Sequence, residues 1–556
     1  MFHFLLSKTR HFQAGTYFAL ITLIMLICST SLSAQPPYFE KITSGELVEV
    51  MQRSYSASWA DVNNNGYDDL LILDLEVNMP NMLYMNNGDG TFTANPNSGI
   101  TAHIGPSIAA NWGDYDNDGY LDVYISNTGN DGDDISKNFL FKNNGDGSFT
   151  RITEGAIVND TGWSLGSGWA DFNKSGYIDL YVANFNGPNK LYVNNGDGSF
   201  TSQTTGDLVT DNATSYGAYW VDVNNNGWPD LFVVNAFGTS LPPDNNCLYM
   251  NNGDGSFTKV TEGHIVNNLG ISHGASWGDY TNNGFQDLFV TNHDWSDNKS
   301  NFLYQNNGDG TFTYQEGINV TTDQNTSFGS AWLDVNNNGH LDLIVSNNKT
   351  SNRHNYFYIN NGDGSFTSVT DDPVQTDLLR SFGVTVSDFD NDGHMDVFIA
   401  TYSPSQANGF YRNLGGQGNY LAMKLEGSVS NRAAIGARIH LWAGGLMQTR
   451  EVFSASGQYA SSSFVQHFGL AGNMVADSIH IHWPSGIVNR FYEIEANQRL
   501  HIIEEEEELS DEADIVSLVI SGQLGESLIN TEEANVYVLM PHGTDLSSLS
   551  PVIEIS

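Results

Sequence analysis

Short apolar runs recur along residues 37–414, each bounded by glycine, asparagine or aspartate, as in Leu70-Leu71-Ile72-Leu73, Leu231-Phe232-Val233-Val234 and Leu343-Ile344-Val345. Continuous runs of this length predict strands buried on both faces. No 3.6-residue period accompanies them, which excludes a helical solenoid. Each run is followed, after a variable connection, by a Leu-Tyr or Phe-Tyr strand, an NNGDG turn and a strand that opens with Phe. The turns stand at 86–90, 143–147, 194–198, 251–255, 306–310 and 360–364. Their Asn-Gly and Asp-Gly steps predict the positive φ angles of a primed hairpin turn. Ahead of each run lies another strand, with Trp59, Trp112, Trp169, Trp220, Trp277 or Trp332 near its end and Val386 in the seventh unit. About four short strands per unit make a propeller blade, and seven units predict a seven-bladed, all-β propeller over 37–414.

The two ends of that region are complementary. Tyr38-Phe39-Glu40-Lys41 reads as a Phe strand without its hairpin partner, and Phe410-Tyr411-Arg412-Asn413 as a Tyr strand without a successor. Together they predict one shared blade that closes the ring and removes a free edge.

Two residues after each Trp, or after Val386, an acidic loop of the form D-x-[DNST]-x-[DNS]-G-x-x-D begins, seven times with spacings of 53, 57, 51, 57, 55 and 54 residues. Oxygen side chains at positions 1, 3 and 5, a bend-permitting glycine at 6, a carbonyl at 7 and an acid at 9 suit a calcium ion, which takes six to eight oxygens. The candidate metal ligands are Asp61, Asn63, Asn65 and Asp69; Asp114, Asp116, Asp118 and Asp122; Asp171, Asn173, Ser175 and Asp179; Asp222, Asn224, Asn226 and Asp230; Asp279, Thr281, Asn283 and Asp287; Asp334, Asn336, Asn338 and Asp342; and Asp388, Asp390, Asp392 and Asp396. Turn chemistry alone does not call for the ninth-position acid. Four carboxylates each in the second and seventh loops predict the tightest sites there, and Lys174 predicts a weak third site.

These loops and their spacing resemble the FG-GAP or VCBS repeats of integrin-α-like propellers. The resemblance implies calcium held within the blades, mainly for structure, and partners bound on the loops of one face. A second register, thirteen residues after each first aspartate, holds Asp74, Asn127, Asn184, Asn235, Asn292, Asn347 and Thr401. Side-chain caps of turns are the simpler reading of these residues. The loops beyond them, with His293, Asp294, Trp295, Arg353 and His354, are where a partner would be sought.

The pattern changes at 415–503, where apolar and polar residues alternate without acidic loops and predict a small β module. Its segments SNRAAIGARI (430–439), QTRE (448–451), HFGL (467–470) and HWPSG (482–486) resemble the ASPIC/UnbV domain. Arg438, Glu451, His467 and His482 are its candidates for acid–base chemistry, but no spacing brings two of them together. His480 and His482 share one face of a strand, which as a pair is a weak metal signal. Residues 504–514 read as an acidic linker, and 515–556 as the start of an immunoglobulin-like surface module with more chain to follow.

Charge and compartment complete the picture. A formal net charge of −43 repels nucleic-acid phosphates. Lys8 and Arg10, the apolar run from Tyr17 to Cys28 and small residues ending at Ala34 read as an export signal over 1–34. After its removal Cys247 is the remaining cysteine and no later segment reads as a membrane helix, so the chain is expected to be secreted or held at the cell surface. No nucleophile elbow, phosphate loop or zinc signature appears. The leading expectation is therefore a calcium-binding adhesion or binding protein for extracellular protein or glycan ligands. The alternative is a carbohydrate-active enzyme, a polysaccharide lyase or dehydratase type, on the same scaffold.

Overall fold

The computed structural model describes residues 37–505, except 77–78, 130–136, 186, 212, 237–243, 294–298, 350–351 and 417. Beyond these it describes the backbone strands Ile515–Ile520 and Pro551–Ile555, which pair antiparallel, and Leu528–Asn530 and Asn535–Tyr537, which also pair. Residues 1–34, read above as an export signal, residues 506–514 of the expected linker, and Asp294 and Trp295 lie outside the described residues.

Seven four-stranded antiparallel sheets form the propeller. In the first, Ser54–Ala60 is innermost, followed outward by Asp69–Asp74, Met82–Asn86 and Phe92–Ala94. The inner strands pack in sequence around a central channel, and the seventh, Ser381–Ser387, packs back on the first. Both inner strands of each blade lie between neighbouring sheets, which is why their sequences are apolar without alternation. Glycine lets the inner strands approach: a Cβ on Gly166 would stand 2.9 Å from the Tyr216 carbonyl oxygen of the next blade. Three of the six repeat tryptophans bridge blades through the indole N–H, Trp169 Nε1 donating to the Asn111 carbonyl at 3.1 Å, Trp220 Nε1 to that of Gly168 at 3.1 Å and Trp332 Nε1 to that of Ser276 at 3.2 Å.

The ring closes as the termini predict. Phe39–Lys41 is the outermost strand of the seventh blade, with Phe39 opposite Asn413 and Lys41 opposite Tyr411. The hairpin turns differ from expectation. In the first, Asn87 N donates to the Thr91 carbonyl and positive φ falls on Gly88 (74°) and Gly90 (84°), not on the Asn and Asp between them. A five-residue loop is built here rather than a two-residue primed turn, because Asp89 caps Thr91 and Asn86 caps Gly88.

The thirteenth-position residues are buried, all seven of them. They belong to a polar belt between blades: Asn246 accepts from Asn235 N (2.9 Å) and donates to Ser272 Oγ (3.0 Å), which donates to Asn292 Oδ1 (3.1 Å). The same relay joins Asn81, Ser107 and Asn127. Asn246→Ala leaves the Asn235 amide without this acceptor in a buried place, and is expected to cost about 1–3 kcal/mol in thermal or urea unfolding. A melting curve matching the wild type would contradict this role.

The C-terminal module is a two-sheet sandwich. Asn419–Glu426 lies between Gln466–Ala471 and Gln498–Ile503. The second sheet orders Leu446–Glu451, Arg438–Ala443, Val475–His482 and Val488–Glu495. Leu421, Met423, Ile439, Leu441, Phe468, Ile479 and Trp483 fill the space between. Glu504, read above as the first linker residue, is a buried part of this module. Its Oε2 accepts the amides of Ser428, Val429 and Ser430 at 2.9, 2.8 and 2.7 Å, and its Oε1 the hydroxyls of Ser430 and Ser485. Burial pushes this carboxyl up, but the Ser485 hydroxyl and the three amides outweigh it and hold it below the ordinary glutamate value. The stability it contributes is complete above that ordinary value, about 4.3, and is lost as pH falls through the lowered one. Glu504→Gln is expected to remove about 1–3 kcal/mol at neutral pH and to flatten the acid limb of the stability profile. An unchanged acid limb would refute it.

The sequence gives no warning that the module enters the propeller. Residues 453–463, rich in serine, glycine and alanine, run through the channel and touch every inner strand. Trp59 N donates to the Ser461 carbonyl (3.0 Å), Trp169 N to Ser454 Oγ (2.8 Å), Tyr219 Oη to the Gly457 carbonyl (2.7 Å) and Thr385 Oγ1 to that of Ser461 (2.8 Å). Asn111 donates to the Ser454 carbonyl, Gln458 meets His273, and Gly457 sits against Ser330.

Candidate metal centres

Each acidic loop joins the innermost strand of a blade to the second, so all seven open on one face. The first aspartate organises the turn: Asp114 Oδ1 accepts from Asp118 N (3.0 Å) and Oδ2 from Gly119 N (2.7 Å), and the other six loops repeat both bonds. Position 5 then accepts from the amide of position 7, as Asp392 does from His394. The ninth-position acid does more than complete a cage. Asp122 Oδ1 accepts from Asn143 N (2.8 Å) of the hairpin turn and Oδ2 from Tyr115 N (3.2 Å), tying loop, turn and strand together.

Position 4 was not singled out by the motif, yet it links the loops into a ring. It adopts positive φ, near 57°, in Asn225 and Asn391. Its amide donates to the position-6 glycine carbonyl of the next loop, from Asn64 to Gly119 (2.9 Å), Asn117 to Gly176 (2.8 Å), and so on to Asn391 and Gly66 (3.0 Å). Lys174 breaks the series and instead lies over the Trp228 ring. A recurrent asparagine in six of seven loops was the signal available in the sequence.

Carboxyl oxygens gather most closely in the two loops with four acids, as Asp114, Asp116 and Asp122, and as Asp388, Asp390 and Asp392. Asp116 Oδ1 and Asp390 Oδ1, both at position 3, are buried without a hydrogen-bond partner, as is Asp179 Oδ2. Burial, with neighbouring carboxylates adding, pushes Asp114 and Asp388 up to about 7, and burial against two amide bonds pushes Asp69 and Asp230 up to about 8. Oxygen-only donors, with one buried oxygen left without a partner in each of the two four-acid loops, fit a hard divalent cation. These same two loops carry a cation on the third strand of their blade: Lys142 pairs with Asp116 and Asp118, and Arg412 with Asp390 (2.7 Å) and Asp392. Each offsets one of the extra acids, so the charge contrast with the other loops is smaller than the motif suggests.

The module covers this face. Five of the six lysines and arginines between 419 and 505 turn toward the loops. Lys424 Nζ reaches Asp61 Oδ2 (3.3 Å) and Asn64 Oδ1 (3.1 Å), Arg438 Nη1 reaches Asp222 Oδ2 (2.8 Å), and Arg499 meets Asn391. Arg432 N donates to Asn117, and Arg450, fully buried, acts on Asp279 and Asp334. Contrary to the spacing argument, the fold does bring three of the module's four candidates together: Arg438 is opposite both Glu451 and His482 in the sheet. Glu451 accepts from Asp222 N (3.3 Å), and burial, then Asp222, raises it to about 8 despite Arg438. His467 lies apart, against the Gly393 carbonyl. These contacts dock the module on the loop face. A cleft of about 670 Å³ remains between the first two loops and the module, lined by Asp61, Asp114, Lys424, Arg432, Phe464 and Arg499.

The opposite face is where the connections between blades emerge. His293, expected there as an exposed residue, is buried against His273 and Phe328, whereas His354 is exposed and Arg353 half-buried. Exposed instead are Met51, Ile104, Leu269 and Leu378, each three residues before an inner strand, together with Val50, Met79 and Trp163. Their recurrence at one register, in four of the seven blades, is visible in the sequence.

Fold and loops define a seven-bladed propeller with an acidic loop in every blade. The FG-GAP-like repeat model matches residues 61–125, 171–233, 236–290, 279–345 and 334–399, more than half of the chain, and the ASPIC and UnbV model matches 427–509. The chain belongs to the FG-GAP-like repeat family and carries an ASPIC and UnbV domain. Cartilage acidic protein 1 of Homo sapiens is 44% identical to it over 57 residues and that of Xenopus tropicalis 43% over 58 residues. Each match spans 10% of this chain and 9% of the relative. A crystal structure of BBS1N in complex with ARL6DN aligns at 10% identity and a TM-score of 0.43, over 68% of this chain and 97% of that one. No helix among the described residues is long and apolar enough to cross a membrane.

Proposed function

We propose that this is an exported propeller, held together by calcium, that acts as a binding or adhesion protein for an extracellular partner. The twenty-eight loop residues named from the sequence are its calcium ligands, with Asp116 and Asp390 supplying the oxygens that are orphaned without an ion. The export signal and relatives named for cartilage support an extracellular setting. Bound ions would neutralise buried carboxylates and brace the loop ring; no reaction step is assigned to them.

The observation that carries the binding role is the division of faces. The module occupies the loop face and fills the channel, so the free face is the one bearing Met51, Ile104, Leu269 and Leu378. Exposed apolar side chains repeated around a rim suit a protein partner better than a glycan. The test is to screen the mature chain against immobilised extracellular-matrix proteins and a glycan array, beside the L269S/L378S variant. Protein binding that the variant loses, with unchanged melting, supports the reading. Binding that the variant retains, or binding to neither surface, overturns it.

A further inference from the structure

Three histidines stand on one face of the module's four-stranded sheet, the face from which Arg438 reaches Asp222 of the propeller. Ile439, Leu441, Ile479 and Ile481 point into the core, so the alternating residues His440, Trp442, His480 and His482 share the other face. His440 lies directly opposite His480, and His482 is two residues along the same strand. Cross-strand Cβ atoms in such a pair stand about 4.5–5.5 Å apart. The His440 and His482 rings are 5.2 Å apart, nearly perpendicular, and His480 packs at 4.8 Å on Trp442.

We propose that His440, His480 and His482 form a three-imidazole site for a late transition-metal dication, zinc or copper. Two histidines at i and i+2 on a strand, with a third on its neighbour, put three imidazoles on one side of the sheet; the His480 ring rests on Trp442 here, so an ion would have to turn it toward His440 and His482. Three protein nitrogens with a fourth position open to water is an established zinc geometry. Imidazoles without a carboxylate select against calcium, so this site and the oxygen-lined loops take different ions. His440 Nδ1 lies 3.0 Å from Thr449 Oγ1, which fixes the ring and leaves Nε2 to the metal. All three are half-buried, and burial first, then Arg438 and the neighbouring rings, lowers His440 to about 3 and His482 to about 4. They are thus unprotonated at neutral pH, as ligands must be. Arg438 opposite His482 and Arg490 opposite His480 weaken the site without occupying its centre.

The test uses the mature chain saturated with calcium, so that the acidic loops are filled. Copper(II) is titrated with visible and EPR detection, and zinc by calorimetry. One equivalent of either ion is expected, with copper showing nitrogen hyperfine structure, and H440Q, H480Q and H482Q are each expected to weaken it by about tenfold or more. Melting with calcium should not change, which separates loss of ligands from loss of fold. Absence of stoichiometric binding of both ions, or full retention by the triple variant, overturns the proposal.

Discussion

Removing divalent cations with EGTA is expected to lower the melting temperature by about 10–20 °C. An ion present at a hundred times its dissociation constant adds about 2.7 kcal/mol per site. The two four-acid loops alone then give about 5 kcal/mol, at about 2–4 °C per kcal/mol for a chain of this class. Two features push the effect upward. The carboxyls at positions 1 and 9 are buried, save the half-buried Asp388, so an apo protein must either protonate them or hold them charged in poor solvent. The position-4 asparagines couple every loop but the third to the next, so loosening one loop strains its neighbour. D116N and D390N each take one negative charge from position 3, and should each eliminate part of the calcium response. Calorimetry in calcium and in EGTA giving one melting temperature would refute the assignment.

How much of this was legible in the sequence follows from what repeats and what does not. The blades, their number and the shared seventh sheet were readable because apolar runs, Trp positions and turns recur at nearly fixed spacing, and the end strands Phe39–Lys41 and Gly409–Asn413 each lack a partner in sequence. The acidic loops and their place between the two inner strands were readable for the same reason. The polar belt was half-readable: Asn127 and Asn235 recur, but their partners Asn138 and Asn246 follow connections of variable length. What was hidden occurs once. The channel segment 453–463 carries no repeat, and its small residues resemble any loop until seven inner strands surround it. The pairing of Arg438 with Glu451 and His482, and of His440 with His480, depends on strand register within the module, which spacing does not encode. Glu504 was misread because an acidic run looks uniformly solvated; its first member is held by three amides that only the folded turn at 428–430 presents.

Arg438→Ala is expected to destabilise the protein by about 3–5 kcal/mol, because it leaves a buried carboxylate without its partner. Both side chains of the Arg438–Asp222 pair are under one-tenth exposed, and Glu451 and Asp230 stand close by. Burial keeps Glu451 largely protonated at neutral pH, so the guanidinium answers chiefly to Asp222. The same contact pins the module to the fourth loop, which makes the loss visible in both parts of the chain. A divalent ion held by that loop would supply the missing positive charge beside Asp222, so calcium should restore more stability to Arg438→Ala than it adds to the wild type. The comparison is a pair of melting temperatures, each in EGTA and in millimolar calcium. A larger calcium increment in the variant is the expected result. An equal increment would mean that Arg438 and the fourth loop act independently, and a variant melting with the wild type in both buffers would remove the ion pair from the account of how the module is held.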